Sequence, residues 1–305
     1  MERFSGLLVL AALILTFGLW IPDLFLTGTN FRAIAGDQAI TALLALALVI
    51  TLSGGVFDLS IAGTMGLAAV TVMKLLSTGL SPVPAIAAAI GVACLVGLSN
   101  GLVVTKLHVD SFIATLGMGS ITAAGTYWVS DGKQLLEGIP SSFLELARHE
   151  VLGISVAAYY LLVVATVLWF ILERRPEGRR LYAVGGNPIA ARLAGIRVER
   201  MVVVAFVSGS AIAGITGVLL ASRLGTASPD IGVPYLLPAF TAAFLGATQV
   251  QPGRFNPFGT LIAVYLLAVG VKGLQLAGSP SYINDLFNGL ALIVAVALAA
   301  RGRRG

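Results

Sequence analysis

The sequence predicts an all-α, polytopic membrane protein with about ten transmembrane helices. Three observations predict it. Of 305 residues, 57% are hydrophobic and only 11% are charged, whereas a soluble globular domain carries about 25% charged residues. The mean hydropathy is +0.96. The apolar residues also fall in runs close to the ~20 that a helix needs to cross the hydrocarbon core. The 36 glycines fit the same class, because small residues let membrane helices approach closely. The net charge of +5 is no nucleic-acid signal, since the basic residues cluster at helix ends, where positive-inside orientation explains them. Cys94 is the single cysteine and excludes an intrachain disulfide.

The ten apolar segments are 6–26, 33–53, 58–77, 84–105, 111–130, 155–172, 201–222, 234–250, 257–277 and 282–300. The first follows a basic start, is too long for a signal-peptide core and lacks a small-residue cleavage site, so it is expected to be a retained span. The third and eighth carry breakers and are expected to be partly re-entrant. Gly54, Gly55 and Asp58 precede or open the third, and Pro234 and Pro238 sit in the eighth. With the N-terminus inside, thirteen of the 19 lysines and arginines fall on the inner side. Six fall outside, namely Arg32, Lys74, Lys133, Arg148, Arg223 and Lys272. That balance places both termini in the cytoplasm. Segments two to five then begin outside and segments seven to ten begin inside, the arrangement of an inverted repeat.

Small residues recur every four positions at Ala93, Gly97 and Gly101 and again at Gly209, Ala213 and Gly217. Such flat faces receive another helix, within the monomer in the simplest case. The loop 131–154 is the longest on the predicted outer side. Its piece SSFLELAR forms a short amphipathic helix whose Phe143, Leu144 and Leu146 lie on the membrane or fold back on the helices. The loop is either a platform for an extracytoplasmic partner or an ordinary solvated connection.

The stretch 173–200 carries seven arginines between two apolar runs. Within it, NPIAARLAG is punctuated as a helix. Asn187 can cap the first turn, Pro188 suits the first helical position, and Gly195 suits the left-handed stop. Ile189 and Leu193 share one face. Such a helix is either a docking surface for a cytoplasmic partner or part of a basic loop that sets topology.

Catalytic constellations are absent from the sequence. His108 and His149 fall on opposite predicted sides, no HExxH or metal-ligand spacing occurs, and no GxxxxGK[ST] phosphate loop is present. No metal or cofactor is expected on this chain. Asp58 is the most unusual residue, because an acid within the bilayer is costly and therefore functional by default. Gly54, Gly55, Asp58 and Ser60 also read as a helix break followed by a helix start, which Asp58 suits as a cap. Asn100 and Asn288 lie in apolar runs and either bridge helices or line a cavity. Tyr235 and Phe240 are further candidates for a polar-solute pathway.

Three stretches resemble the permease subunits of bacterial ABC importers of the ribose type. They are SGGVFDLSIAG at 53–63, VDSFIATLGM at 109–118, and GRRLYAVGGNPIAARLAGIRVERM at 178–201, with a weaker likeness in 259–278. The resemblance covers roughly residues 33–300. It implies one transmembrane permease domain over 1–305 in the bacterial cytoplasmic (inner) membrane, with 173–200 as a cytoplasmic coupling loop and 131–154 as a periplasmic loop. It also implies that Asn187, Pro188, Ile189, Arg192, Leu193 and Gly195 form a helix that couples to a separate ATP-binding subunit. A second permease chain and a periplasmic solute-binding protein are the other implied partners. The expected cargo is a monosaccharide or similar small polar solute, moved by alternating access. The chain departs from the family's pattern in having Val56 and Phe57 before Asp58, and in reading VPYLLPAF at 233–240 without acids. The alternative is a stand-alone secondary carrier or channel, with Asp58 as its ion site.

Overall fold

The computed structural model describes residues 5–280 and 282–302. Its regular structure is helical apart from one two-residue hairpin, β1 (Glu150–Val151) paired antiparallel with β2 (Ile154–Ser155). In chain order the helices are α1 (Ser5–Trp20), α2 (Pro22–Phe25), α3 (Gly28–Ser53), α4 (Ile61–Ser77), α5 (Pro82–Lys106), α6 (Ser111–Ser130) and α7 (Ser141–Arg148). After the hairpin come α8 (Val156–Trp169), α9 (Pro176–Gly186), α10 (Pro188–Leu193), α11 (Val198–Leu224), α12 (Leu236–Gly246), α13 (Pro257–Leu276) and α14 (Tyr282–Gly302).

Every one of the ten predicted segments holds a helix. Among the described residues, α3, α5, α11, α13 and α8 with its π-helical extension through Arg174 are long and apolar enough to cross a membrane. The third segment is broken at 54–60, which leaves α4 with 17 residues. The eighth is the shortest. Pro234 lies within a 3₁₀ turn at Val233–Tyr235 before α12, which has only 11 residues and so reaches ~16 Å of the ~30 Å hydrocarbon thickness.

The helices form two compact units. One comprises residues 1–45, 150–169 and 237–305. Its core joins α1, α2, α3 and α13 through Phe17, Phe25, Ile34, Ala268 and Val269. Gly273 sits against the Phe17 ring and Gly270 against Phe287. The Asn256 side chain accepts from Gly259 N at 2.7 Å and so starts α13. The other unit comprises 46–149 and 170–236. The division cuts across the two four-helix blocks expected from helix direction, because α11 belongs with α4, α5 and α6.

The second unit is built on small residues. Gly97 and Gly101 of α5 abut the Phe206 carbonyl and Val203 of α11, while Ala93 meets Gly214. Rising numbers on α5 meet falling numbers on α11, so these two helices run antiparallel. Gly217 of α11 lies on the Met65 carbonyl of α4, and Gly209 lies on Ala47 of α3. Both predicted small-residue faces are thus used for packing within the chain. On α6, Thr122 meets Gly63 and Gly125 meets Leu67 in parallel order, which agrees with the directions predicted for segments three and five.

The end of this unit that carries the C-termini of α4, α6 and α11 is tied together by polar contacts. Lys74 Nζ lies 2.9 Å from Asp131 Oδ2. This hydrogen bond and the Lys74 charge, aided by Lys133, hold the Asp131 carboxyl below the usual carboxylate range. Leu135 pairs with Ala227 through both backbone bonds, and Tyr127 donates to Asp230 at 3.0 Å. The SSFLELAR helix, α7, folds back on α11. Phe143 is fully buried, its carbonyl accepts from Ser222 Oγ at 2.7 Å, and Arg148 donates to the Arg223 carbonyl at 2.9 Å.

Candidate functional site

The opposite, basic end of this unit holds the helix predicted from NPIAARLAG. Asn187 Oδ1 accepts from Ile189 N at 3.1 Å and Ala190 N at 3.0 Å, which satisfies two of the orphan amides of a first turn. Pro188 opens α10 and Gly195, at φ +80°, closes it. Ala191 is buried with Val184, Val198, Val202 and Phe206, which fixes the inner face. The outer face presents Ile189 at 71% exposure and Leu193 at 85%. Arg192 pairs with Glu199 of α11. Two apolar knobs on a firmly anchored short helix are what a cleft on another protein could receive.

Behind α10 lies α9, and α9 touches the break in the third segment. A Cβ on Gly185 would fall 2.2 Å from the Ser53 carbonyl oxygen, and one on Gly55 would fall 2.9 Å from the Gly185 Cα. Gly55 also has φ +76°, a conformation that L side chains avoid. Leu181 of α9 packs on Gly54. The exposed helix and the α3–α4 break are thereby joined backbone to backbone. Sequence reasoning assigned Gly185 no role, because a close approach between two distant glycines leaves no local pattern.

The break leads directly to Asp58. Asp58 is fully buried. Its Oδ1 accepts from Ser60 N at 3.0 Å and Ser60 Oγ at 2.6 Å. Ser60 Oγ in turn accepts from Asn100 Nδ2 of α5 at 2.8 Å. Asp58 therefore holds Ser60, the residue just before α4, rather than capping first-turn amides. Thr115 Oγ1 and Ser111 Oγ, both of α6, accept from Leu59 N at 3.0 Å and Phe57 N at 3.2 Å, so with Asn100 of α5 the break is pinned by side chains from two neighbouring helices. Asp58 Oδ2, Asn100 Oδ1 and Ser210 Oγ are buried without a protein partner, and Ser210 faces Gly97, one turn from Asn100. Asn100 lies six residues from Lys106, a depth of ~9 Å along the helix. The cluster is a polar centre inside the basic-end half of an apolar bundle.

The other pathway candidates have different settings. Tyr235 is half-buried in the 3₁₀ turn before α12. Phe240 is buried and stacks on Phe244 at 6.4 Å. Thr241 Oγ1 donates to the Asn288 backbone carbonyl at 3.3 Å, so α12 and α14 are linked through the main chain of Asn288 rather than through its side chain. Among the described residues no three His, Cys, Asp or Glu side chains gather as a metal-binding group.

Residues 30–296 match the family model described as branched-chain amino acid transport system / permease component. This chain belongs to that family. It is 32% identical over 299 residues to the ribose import permease protein RbsC of Bacillus subtilis (strain 168), covering 98% of this chain and 92% of the relative. It is 30% identical to the D-allose transport system permease protein AlsC of Escherichia coli (strain K12), covering 97% and 91%. The autoinducer 2 import system permease protein LsrD of Escherichia coli O9:H4 (strain HS) is also 30% identical, over 96% and 92%. The fold is similar to that of a metal-chelate type ABC transporter solved in an inward-facing conformation, with TM-score 0.52, 15% identity, and coverage of 97% of this chain and 96% of that one. The chain is thus a multi-pass permease subunit of an ABC importer.

Proposed function

We propose that this permease forms the membrane pathway of an ATP-driven importer for a monosaccharide or similar polyol-like solute, with both termini in the cytoplasm. ATP is hydrolysed on a separate subunit. The solute arrives on a periplasmic binding protein, and a second permease chain completes the pathway. The names of the ribose and allose relatives support the cargo class. The single observation that carries the coupling role is α10, a capped helix with Ile189 and Leu193 turned out to solvent and its other face buried.

In this mechanism Ile189, Arg192 and Leu193 contact the ATPase subunit, while Asn187, Pro188 and Gly195 keep the helix in shape. When the ATPase pair closes, the push on α10 passes through α9 to the Gly185–Gly55 contact, and so to the α3–α4 break. The break carries Asp58 and Ser60, whose bond to Asn100 ties it to α5. A movement there re-packs α4 against α5 and α6, the rocking that alternating access requires. Asp58 and Asn100 act in this pathway as a polar hinge, and Tyr235, Phe240 and Asn288 as further lining groups. The test is uptake of labelled ribose and allose into proteoliposomes holding the permease, its ATPase subunit and its binding protein. Uptake that requires ATP and is competed by related sugars is expected. Uptake that proceeds undiminished without the ATPase subunit overturns the proposal.

A further inference from the structure

Between α9, α10 and α11 lies a cleft of about 620 Å³. Arg180, Arg197 and Arg200 line it, with Glu177 as the single acid. None of the three arginines has an ion pair among the described residues. The start of α11 borders the cleft through its N-cap residue Arg197 and through Arg200, and Glu199 in the same first turn is paired with Arg192. The far wall is Met201 and Val204. Val204 is 50% exposed on an apolar helix, so this wall opens on the hydrocarbon of the bilayer.

We propose that the cleft binds the phosphodiester headgroup of an anionic phospholipid, with Arg180, Arg197 and Arg200 around the phosphate and an acyl chain along Met201 and Val204. Arginine suits this ligand because its planar fork matches phosphate oxygens. Basic pockets between transmembrane helices at the membrane surface are where anionic headgroups settle. A soluble phosphate would use the arginines but not the apolar wall. An acidic protein surface would be kept from Val204 by the lipid itself. The inference stands apart from the transported solute and from the coupling role of α10. It gives the basic stretch a lipid-sensing side immediately behind the exposed helix.

The experiment is native mass spectrometry of the full chain in mild detergent, titrated with phosphatidylglycerol or phosphatidylcholine. The variants are Arg197→Gln with Arg200→Gln, and, as a charge-matched control outside the cleft, Arg175→Gln with Arg179→Gln. Each arginine near an anionic headgroup is worth roughly a five-fold change, so removing two should make the cleft variant bind phosphatidylglycerol about twenty-five-fold more weakly. The control should bind like the wild type, and phosphatidylcholine should not saturate the site. Equal losses in both variants, or none in the cleft variant, would overturn the proposal. Inorganic phosphate displacing the lipid with the same dependence on Arg197 and Arg200 would replace the lipid assignment with a free-anion site. Loss of the ATPase subunit from the cleft variant with lipid binding intact would make the cleft a protein docking surface and end the lipid assignment.

Discussion

Replacing Ser60 by alanine tests the buried polar centre most sharply. Ser60 Oγ makes two bonds, accepting from Asn100 at 2.8 Å and donating to Asp58 at 2.6 Å. All three residues have 0% exposure, so water cannot replace what is lost. A hydrogen bond to a carboxylate contributes about 1.5–3 kcal/mol, and a neutral one about 0.5–1.5 kcal/mol, with measured interhelical bonds in membranes averaging ~0.6 kcal/mol. Ser60→Ala should therefore cost about 2–3 kcal/mol, and Asn100→Leu alone about 1 kcal/mol. In the double variant the amide that Ser60→Ala would strand is gone as well. The two costs should consequently fall short of additivity by ~1 kcal/mol. The assay is reversible unfolding in mixed micelles by denaturing-detergent titration, for wild type, both singles and the double. Additivity within ~0.5 kcal/mol, the behaviour of independent sites, would refute the network as a coupled unit.

Other outcomes follow from the same geometry. Gly185→Ala drives a methyl into the Ser53 carbonyl and should destabilise by about 1–3 kcal/mol as an overpacked contact. Gly186→Ala, with open space around it, should be near neutral, and thermal unfolding distinguishes the two. Asn187→Ala removes the acceptor for two amides and should weaken α10 by ~1 kcal/mol, seen as about five-fold faster hydrogen exchange at Ile189 and Ala190. Lys74→Gln should let the Asp131 carboxyl rise toward the ordinary carboxylate range, read by NMR titration. Because the Asp131 value is depressed in the folded protein, its stabilisation is present above the unfolded pKa and is lost as pH falls through the folded one. The variant should lose that acid-side dependence.

Much of this fold is legible in the sequence, for reasons that are local. Apolar run length located the helix in each of the ten segments, and the glycines at 54 and 55 and the prolines at 234 and 238 marked the two shortened ones. Asn187, Pro188 and Gly195 specify a helix start and stop within nine residues, so α10 could be read before any contact was known. Asp58 was visible because a charge in an apolar run is rare, but its partner was not. Ser60, two places on, reads in the sequence as part of the helix start, and its link to Asn100, forty residues away, shows only in the structure. The Gly185–Gly55 contact was hidden for the same reason. The cleft at Arg180, Arg197 and Arg200 looked like part of a topology-setting basic loop, because only tertiary structure shows which arginines share a space.

The central claim is that α10 transmits work from an ATPase subunit. Leu193 is 85% exposed, so Leu193→Asp should leave folding within about 0.5 kcal/mol of wild type. If its side chain is buried in a partner, losing that burial alone removes about 1.5–3 kcal/mol of binding, at least a ten-fold loss of affinity. The measurement is co-purification of the tagged permease with its ATPase subunit in mild detergent, wild type beside Leu193→Asp, with ATPase activity followed in the same fractions. The account predicts an ATPase that travels with the wild type and is lost from a folded Leu193→Asp. A variant that retains the subunit, or a wild type that transports in liposomes with no ATPase partner, would contradict it and turn attention to Asp58 as the ion site of a secondary carrier.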